Sequence, residues 1–218
     1  MKDKDLITAW VVNVDQRRSR RQPDRVPGAL DVANQLDSII LPFERTAGDE
    51  LQGLVRSGPA LVSLVEGLAR LDATDGLAEP GWRVGIGVGG VENLTGGGTR
   101  EARGPAYLLG REAVESAATA PGHLVIRSAV GDPTAFELAE AALVMLRTVL
   151  ARRSRPGWEV VDAVSVGDSQ AEVAARLAVS ESAVSQRLAR AAWRESVRGA
   201  ALAGSLLARA DESVRPSA

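Results

Sequence analysis

The stretch that most constrains the fold is Thr46-Ala47-Gly48-Asp49-Glu50-Leu51-Gln52-Gly53-Leu54-Val55. Apolar residues flank a tight Gly-Asp-Glu, which predicts two strands joined by a turn with carboxylates at its tip. Another carboxylate, Asp15, ends the apolar run Leu6-Ile7-Thr8-Ala9-Trp10-Val11-Val12-Asn13-Val14. If that run is a strand beside the hairpin, Asp15 and Asp49 converge at one end of a sheet. Two carboxylates there suit one Mg2+ and, through it, a phosphate. The tip also has a plainer reading, because Asp in a turn bonds nearby backbone.

With 218 residues, one or two domains and a sizeable core are expected. The absence of Cys excludes disulfides and thiolate zinc sites, and a lone His excludes a His-rich metal site. No apolar run is long enough to span a membrane, and Met1-Lys2-Asp3-Lys4-Asp5 lacks the apolar core of a signal peptide. A soluble, cytoplasmic protein is the expectation. Residues 1–150 hold 16 basic and 20 acidic residues, and residues 151–218 hold 10 and 8. So mild a basic excess does not announce nucleic-acid binding, which has to be read from pattern.

Five arginines lie in Gln16–Arg25, directly after Asp15. They make either a solvated loop or an anion cradle formed by Arg17, Arg18, Ser19 and Arg20. Pro27 opens a helix predicted to reach Ile40, and Ser57-Gly58-Pro59 starts a second helix through Leu71. In Trp82-Arg83-Val84-Gly85-Ile86-Gly87-Val88-Gly89-Gly90-Val91 the glycines alternate, so one sheet face is bare and something approaches it closely. That is a packed helix or a ligand, the latter making Gly85 and Gly87 binding residues. A dinucleotide-binding turn is rejected, since these glycines lie within the apolar run. The Gly-rich Asn93–Arg103 loop is a candidate mobile lid. Gly104-Pro105 opens a helix carrying Tyr107 and Arg111. His123–Arg127 is a short strand, and Asp132-Pro133 begins a long helix to about Arg153. The order predicts a two-layer α+β domain with helices on one face.

Several of these residues resemble the landmarks of the SatD family. Asp15 followed by Arg17, Arg18 and Ser19 is similar to its opening D-x-x-x-S-R. Gly48-Asp49-Glu50-Leu51-Gln52-Gly53, Arg83-Val84-Gly85-Ile86-Gly87-Val88-Gly89 and Gly104-Pro105-Ala106-Tyr107 follow in the family's order, over roughly residues 5–130. The family in turn looks like the palm-type nucleotide-cyclase fold, a ferredoxin-like sheet of class III adenylate and diguanylate cyclases. The resemblance implies Asp15 and Asp49 as metal positions, Glu50 as a helper, and a nucleotide ligand held with Arg111. It also marks departures from the enzymes. The cyclase Asn is absent from Tyr107-Leu108-Leu109-Gly110-Arg111, and Ala47-Gly48-Asp49-Glu50-Leu51 lacks the first Gly and closing Phe of the diguanylate-cyclase signature. Turnover needs groups aimed at charge that develops in the transition state, whereas binding needs fewer.

Beyond the basic break Arg152–Gly157, Trp158–Val166 reads as a short helix. Two more follow, Asp168–Leu177 and Glu181–Ala192, joined by Ala178-Val179-Ser180, with Ser180 a suitable N-cap. This resembles the helix-turn-helix of bacterial regulators and of sigma-factor promoter-reading regions. The second helix presents Ser182, Ser185, Gln186, Arg187 and Arg190. Gln reads adenine, Arg reads guanine, and Ser contacts base or phosphate in double-stranded DNA. A plain packing hairpin is the alternative. Ser196–Ala210 offers an Ala/Leu helix either for a homodimer or for packing on its own domain.

The sequence thus predicts a cyclase-like sensor at residues 1–130, a connecting helix at 131–155 and a DNA-binding unit at 156–218. A transcriptional regulator responding to a nucleotide, with or without Mg2+, is the expected function. The rivals are a divergent cyclase or nucleotidyl transferase, and a DNA-binding protein whose front domain is a ligand-free scaffold.

Overall fold

The computed structural model describes residues 7–77, 79–92, 94 and 98–214. Five strands form one sheet: β1 Ile7–Gln16, β2 Ile39–Ala47, β3 Glu50–Val55, β4 Trp82–Val91 and β5 Leu124–Ser128, in the order β2-β3-β1-β4-β5. All neighbours are antiparallel except β4 and β5. Helix α1, Val26–Ala33, crosses from β1 to β2 with β3 between them. Helix α2, Ala60–Thr74, crosses from β3 to β4 with β1 between them. That is the ferredoxin-like arrangement, in the α+β class expected. Helix α3, Pro105–Ser116, then leads to β5.

Strand β1 is buried on both faces. Trp10, Val12 and Val14 enter a large core with α1, α2 and later helices, while Ala9 and Val11 join Leu41, Leu54, Val91 and Ala106 on the other side. A strand covered twice reads as a nearly continuous apolar run, as Ile7–Val14 does. The expectation of helices on one face is therefore corrected, because α3 covers the second face over β1 and β4. The glycines explain it. A Cβ on Gly85 would lie 2.1 Å from the Val114 backbone N, and one on Gly87 would lie 2.1 Å from the Ala106 carbonyl O. Bare backbone lets the α3 backbone settle onto the strand. Gly85 and Gly87 face a helix, which leaves no room there for the ligand contact expected of them.

Helix α1 stops well before Ile40. The Asn34 side chain accepts from Phe43 N at 2.8 Å and donates to Phe43 O at 3.0 Å. This side-chain pairing with the strand backbone ends the helix, and β2 begins at Ile39.

Helix α4, Pro133–Leu150, is capped by Asp132 and packs on the same face as α2, with the Phe136 ring 5.6 Å from that of Trp10. Helices α5, Arg155–Ser165, α6, Gln170–Arg176, and α7, Glu181–Arg190, enclose a separate small core. Helix α8, Trp193–Ser213, leaves that unit and returns along α4. Its Ala203, Leu207 and Ala210 belong to the core of the sheet domain. Asp211 then accepts from Trp10 Nε1 at 2.6 Å, Ser57 Oγ at 2.8 Å and Gly58 N at 3.0 Å. The Leu207 side of this helix is thus spent within its own chain. No helix among the described residues is long and apolar enough to cross a membrane.

Candidate functional site

Two places gather the residues singled out by sequence. The first is the end of the sheet where β1 meets the hairpin. Register sets Asp15 opposite Glu50 on β3 and opposite Arg83 on β4, so the three side chains share the α3 face. Asp49 sits at the turn, its carbonyl accepting from Gln16 N at 3.0 Å. Gly48 holds a φ of +50°, the left-handed conformation that a tight turn assigns to glycine. Arg83 Nη1 donates to Asp15 Oδ2 at 2.7 Å, and Arg111 of α3 lies 3.6 Å from Glu50. Burial raises the Asp15 pKa above its ordinary value and the Asp49 charge raises it further, against the opposing pull of Arg83. Asp15, Asp49, Glu50 and Arg111 are therefore brought together.

The arginine run is not part of that cluster. Arg17 donates to the Pro80 carbonyl and Arg18 lies 3.4 Å from Glu79, so both turn toward the loop before β4. Ser19 and Arg20 lie in the 3-10 turn that follows, Ser19 partly covered and Arg20 exposed. Of the expected lid, Asn93, Thr95, Gly96 and Gly97 lie outside the described residues. Thr99 is buried and donates to Gln52 Oε1 at 3.1 Å, and Gln52 donates to Asn13 Oδ1 at 2.6 Å. This end of the loop is fastened to the sheet. Arg83 was missed as a site residue. It stands in an apolar strand, and only the β1/β4 register shows that it meets Asp15.

The Mg2+ expectation can be set against this donor set. Asp15 and Asp49 supply two carboxylates, enough for an ion that draws its other ligands from water and phosphate. Arg83 already takes one Asp15 oxygen, and a bound ion would have to displace it. Among the described residues no group of three His, Cys, Asp or Glu is arranged to hold a metal.

The second place is the helical unit. Ser169 and Glu172 form a capping box at the start of α6, and the Ser180 hydroxyl accepts from Ala183 N at 3.1 Å at the start of α7. Ala178 takes a positive φ of 51° in the turn between them. Val173, Ala174, Val184 and Leu188 close the core beneath. Ser182, Ser185, Gln186 and Arg190 are exposed on the face of α7 away from that core, and Arg187 is partly covered at its flank. None of the five side chains makes a hydrogen bond or ion pair among the described residues.

Arg153 ties the unit to the rest. Its buried guanidinium donates to Ala191 O, at the end of α7, at 2.9 Å and to Ser196 Oγ at 2.7 Å. It also lies 4.3 Å from the Trp158 ring, as does Arg70 of α2, which pairs with Asp162. Arg153 thus fastens the end of α7, while Arg70 fastens α5, on which α7 packs.

No protein-family model and no curated protein matches the chain. Among solved structures it is similar to the crystal structure of a regulator of polyketide synthase expression from Bifidobacterium adolescentis, at 14% identity over 95% of this chain and 81% of that one. The TM-score is 0.28, so neither fold nor function is taken from that likeness.

Proposed function

We propose that the chain is a DNA-binding transcriptional regulator in which α7 enters the major groove of double-stranded DNA. The observation that supports this most is the unengaged polar face of α7. Ser182, Ser185, Gln186, Arg187 and Arg190 stand on a helix N-capped by Ser180, with no hydrogen bond or ion pair of their side chains among the described residues. Gln186 and Arg190 are the base readers, and the serines and Arg187 position the helix on phosphates. Arg194 and Arg198, exposed on the first turns of α8, extend the basic side. The test is selection from a random duplex library with the full chain. A recovered motif whose binding weakens in Gln186→Ala supports the reading, and recovery of no motif sinks it.

The sheet domain is the responsive half in this proposal. Asp15 and Asp49 are near enough to repel, and a cation carrying a nucleotide phosphate would relieve that repulsion while competing with Arg83. The SatD-like landmarks on the same residues support a nucleotide as ligand. Arg153 gives such a change a route to α7. Thermal melts against nucleotides with and without Mg2+ check it. A ligand at about 100 times its dissociation constant adds about 2.7 kcal/mol. A stabilisation that needs Mg2+ and vanishes in Asp49→Ala is the expected outcome.

A further inference from the structure

Helix α4 carries a surface that no described residue covers. Leu138, Ala141, Met145 and Thr148 recur at spacings of three and four and are all exposed, Leu138 by 43% and Met145 by 71%. The stripe itself is uncharged. The two charged residues that fall within it in sequence point elsewhere: Glu140 accepts from Ile126 N on β5, and Arg147 is buried against Trp82 and His123. Glu137, and Arg152 in the turn just past α4, flank its two ends, exposed and without an ion pair among the described residues.

Helix α8 packs alongside α4. Asp132 N donates to Ser213 Oγ at 3.1 Å, and a Cβ on Gly199 would lie 3.6 Å from Leu146. These two contacts set the helices antiparallel and bring Leu202, 57% exposed, level with Leu143. A large exposed apolar residue of the neighbouring helix therefore lies at the level of the middle of the stripe.

We infer that the partner for this surface is a second copy of the chain, with α4 packed antiparallel on its equivalent about a two-fold axis near Met145. The charges carry the choice. The midpoint of Glu137 and Arg152 falls between Val144 and Met145. A two-fold axis there sets Glu137 of one copy opposite Arg152 of the other, twice, as an isologous interface requires. Ala141 falls opposite Thr148, and these small side chains let the helices approach while the two Met145 side chains fill the centre. The inference deepens the proposed function without depending on it. At 1.5 Å per residue the two Arg153 positions fall about 26 Å apart along the α4 axes. The α7 helices held by them would have to stand about 8 Å further apart to meet the ~34 Å between successive major-groove faces of one DNA side.

Sedimentation equilibrium of the full chain without DNA tests it, so that a failure to bind DNA cannot be mistaken for failure of this interface. The wild type is expected to be a dimer. Met145→Glu should raise the dissociation constant more than about 100-fold while leaving the far-UV circular dichroism unchanged. Glu137→Arg should weaken the dimer, and Glu137→Arg combined with Arg152→Glu should restore it. The chain contains no cysteine, so Met145→Cys introduces a single thiol whose oxidation should give a covalent dimer. A wild-type monomer at roughly 100 µM, an unaffected Met145→Glu dimer, or a double charge swap that stays as weak as the single one would overturn the inference.

Discussion

The end of the sheet and the face of α7 both collect polar residues, yet they hold them oppositely. At the sheet end nearly every charge is already spoken for. Asp15 meets Arg83, Glu50 meets Arg111, Asp24 meets Arg45 at 2.7 Å, and Arg17 holds the Pro80 carbonyl. On α7 the hydrogen-bonding side chains make no hydrogen bond or ion pair among the described residues. A surface of the second kind meets a partner at no cost in internal bonds. A ligand at the first kind must exchange an internal pair for its own contacts, so its binding is coupled to rearrangement. That contrast suits a reader joined to a switch.

Four substitutions break or sharpen it. Asp211→Ala has the largest expected effect, since it strands the buried donors of Trp10 and Gly58 and the half-buried one of Ser57, and undocks α8. About 4 kcal/mol of stability should be lost in denaturant melts. A loss under about 1 kcal/mol would detach α8 from the sheet domain and blur the two regions. Gly87→Ala pushes a methyl into the α3 backbone and should cost about 3 kcal/mol, whereas a neutral result would mean that α3 does not lie on β4. Arg190→Ala should leave the melt unchanged and weaken binding to the selected DNA about tenfold. A stability change of comparable size would instead make α7's outer face structural.

The smallest effect concerns protons. Asp15 has a folded pKa above its ordinary value of 3.8, which the unfolded chain retains. Folding therefore favours the protonated form. This group's contribution to stability is present below 3.8 and is lost as pH rises through the raised folded value. Asp15→Asn lacks that loss, so its melting temperature should gain on the wild type by about 2 °C or less between pH 4 and pH 7. A gap that narrows with rising pH would show that Arg83 outweighs burial and Asp49.

The strands, the hairpin and the order of helices were legible because their periodicities and turn residues are local. Trp82–Val91 was bounded correctly, and Ser180 was placed at its cap. What escaped depends on contacts distant in sequence. The bare face of β4 announced a close neighbour, but only the fold shows that α3 fills it on the opposite side from α1 and α2. Pro27 marked the start of α1, while its end was set by Asn34 bonding Phe43 across a turn. The convergence of Asp15 with Asp49 and Glu50 was legible from the hairpin and strand pattern, and the approach of Arg83 was not, since register decides which residue faces Asp15. The docking of α8 rests on Asp211 and Trp10, which are 201 positions apart.

The central claim is that α7 reads DNA, and fluorescence anisotropy of the full chain on its selected duplex tests it most directly. Wild-type protein should bind that duplex at least ~1,000-fold more tightly than scrambled sequence at physiological salt. The double variant Gln186→Ala/Arg190→Ala should lose most of that preference while keeping its weak, salt-sensitive binding. Equal affinity for both duplexes in the wild type, or full discrimination retained by the double variant, would contradict the account.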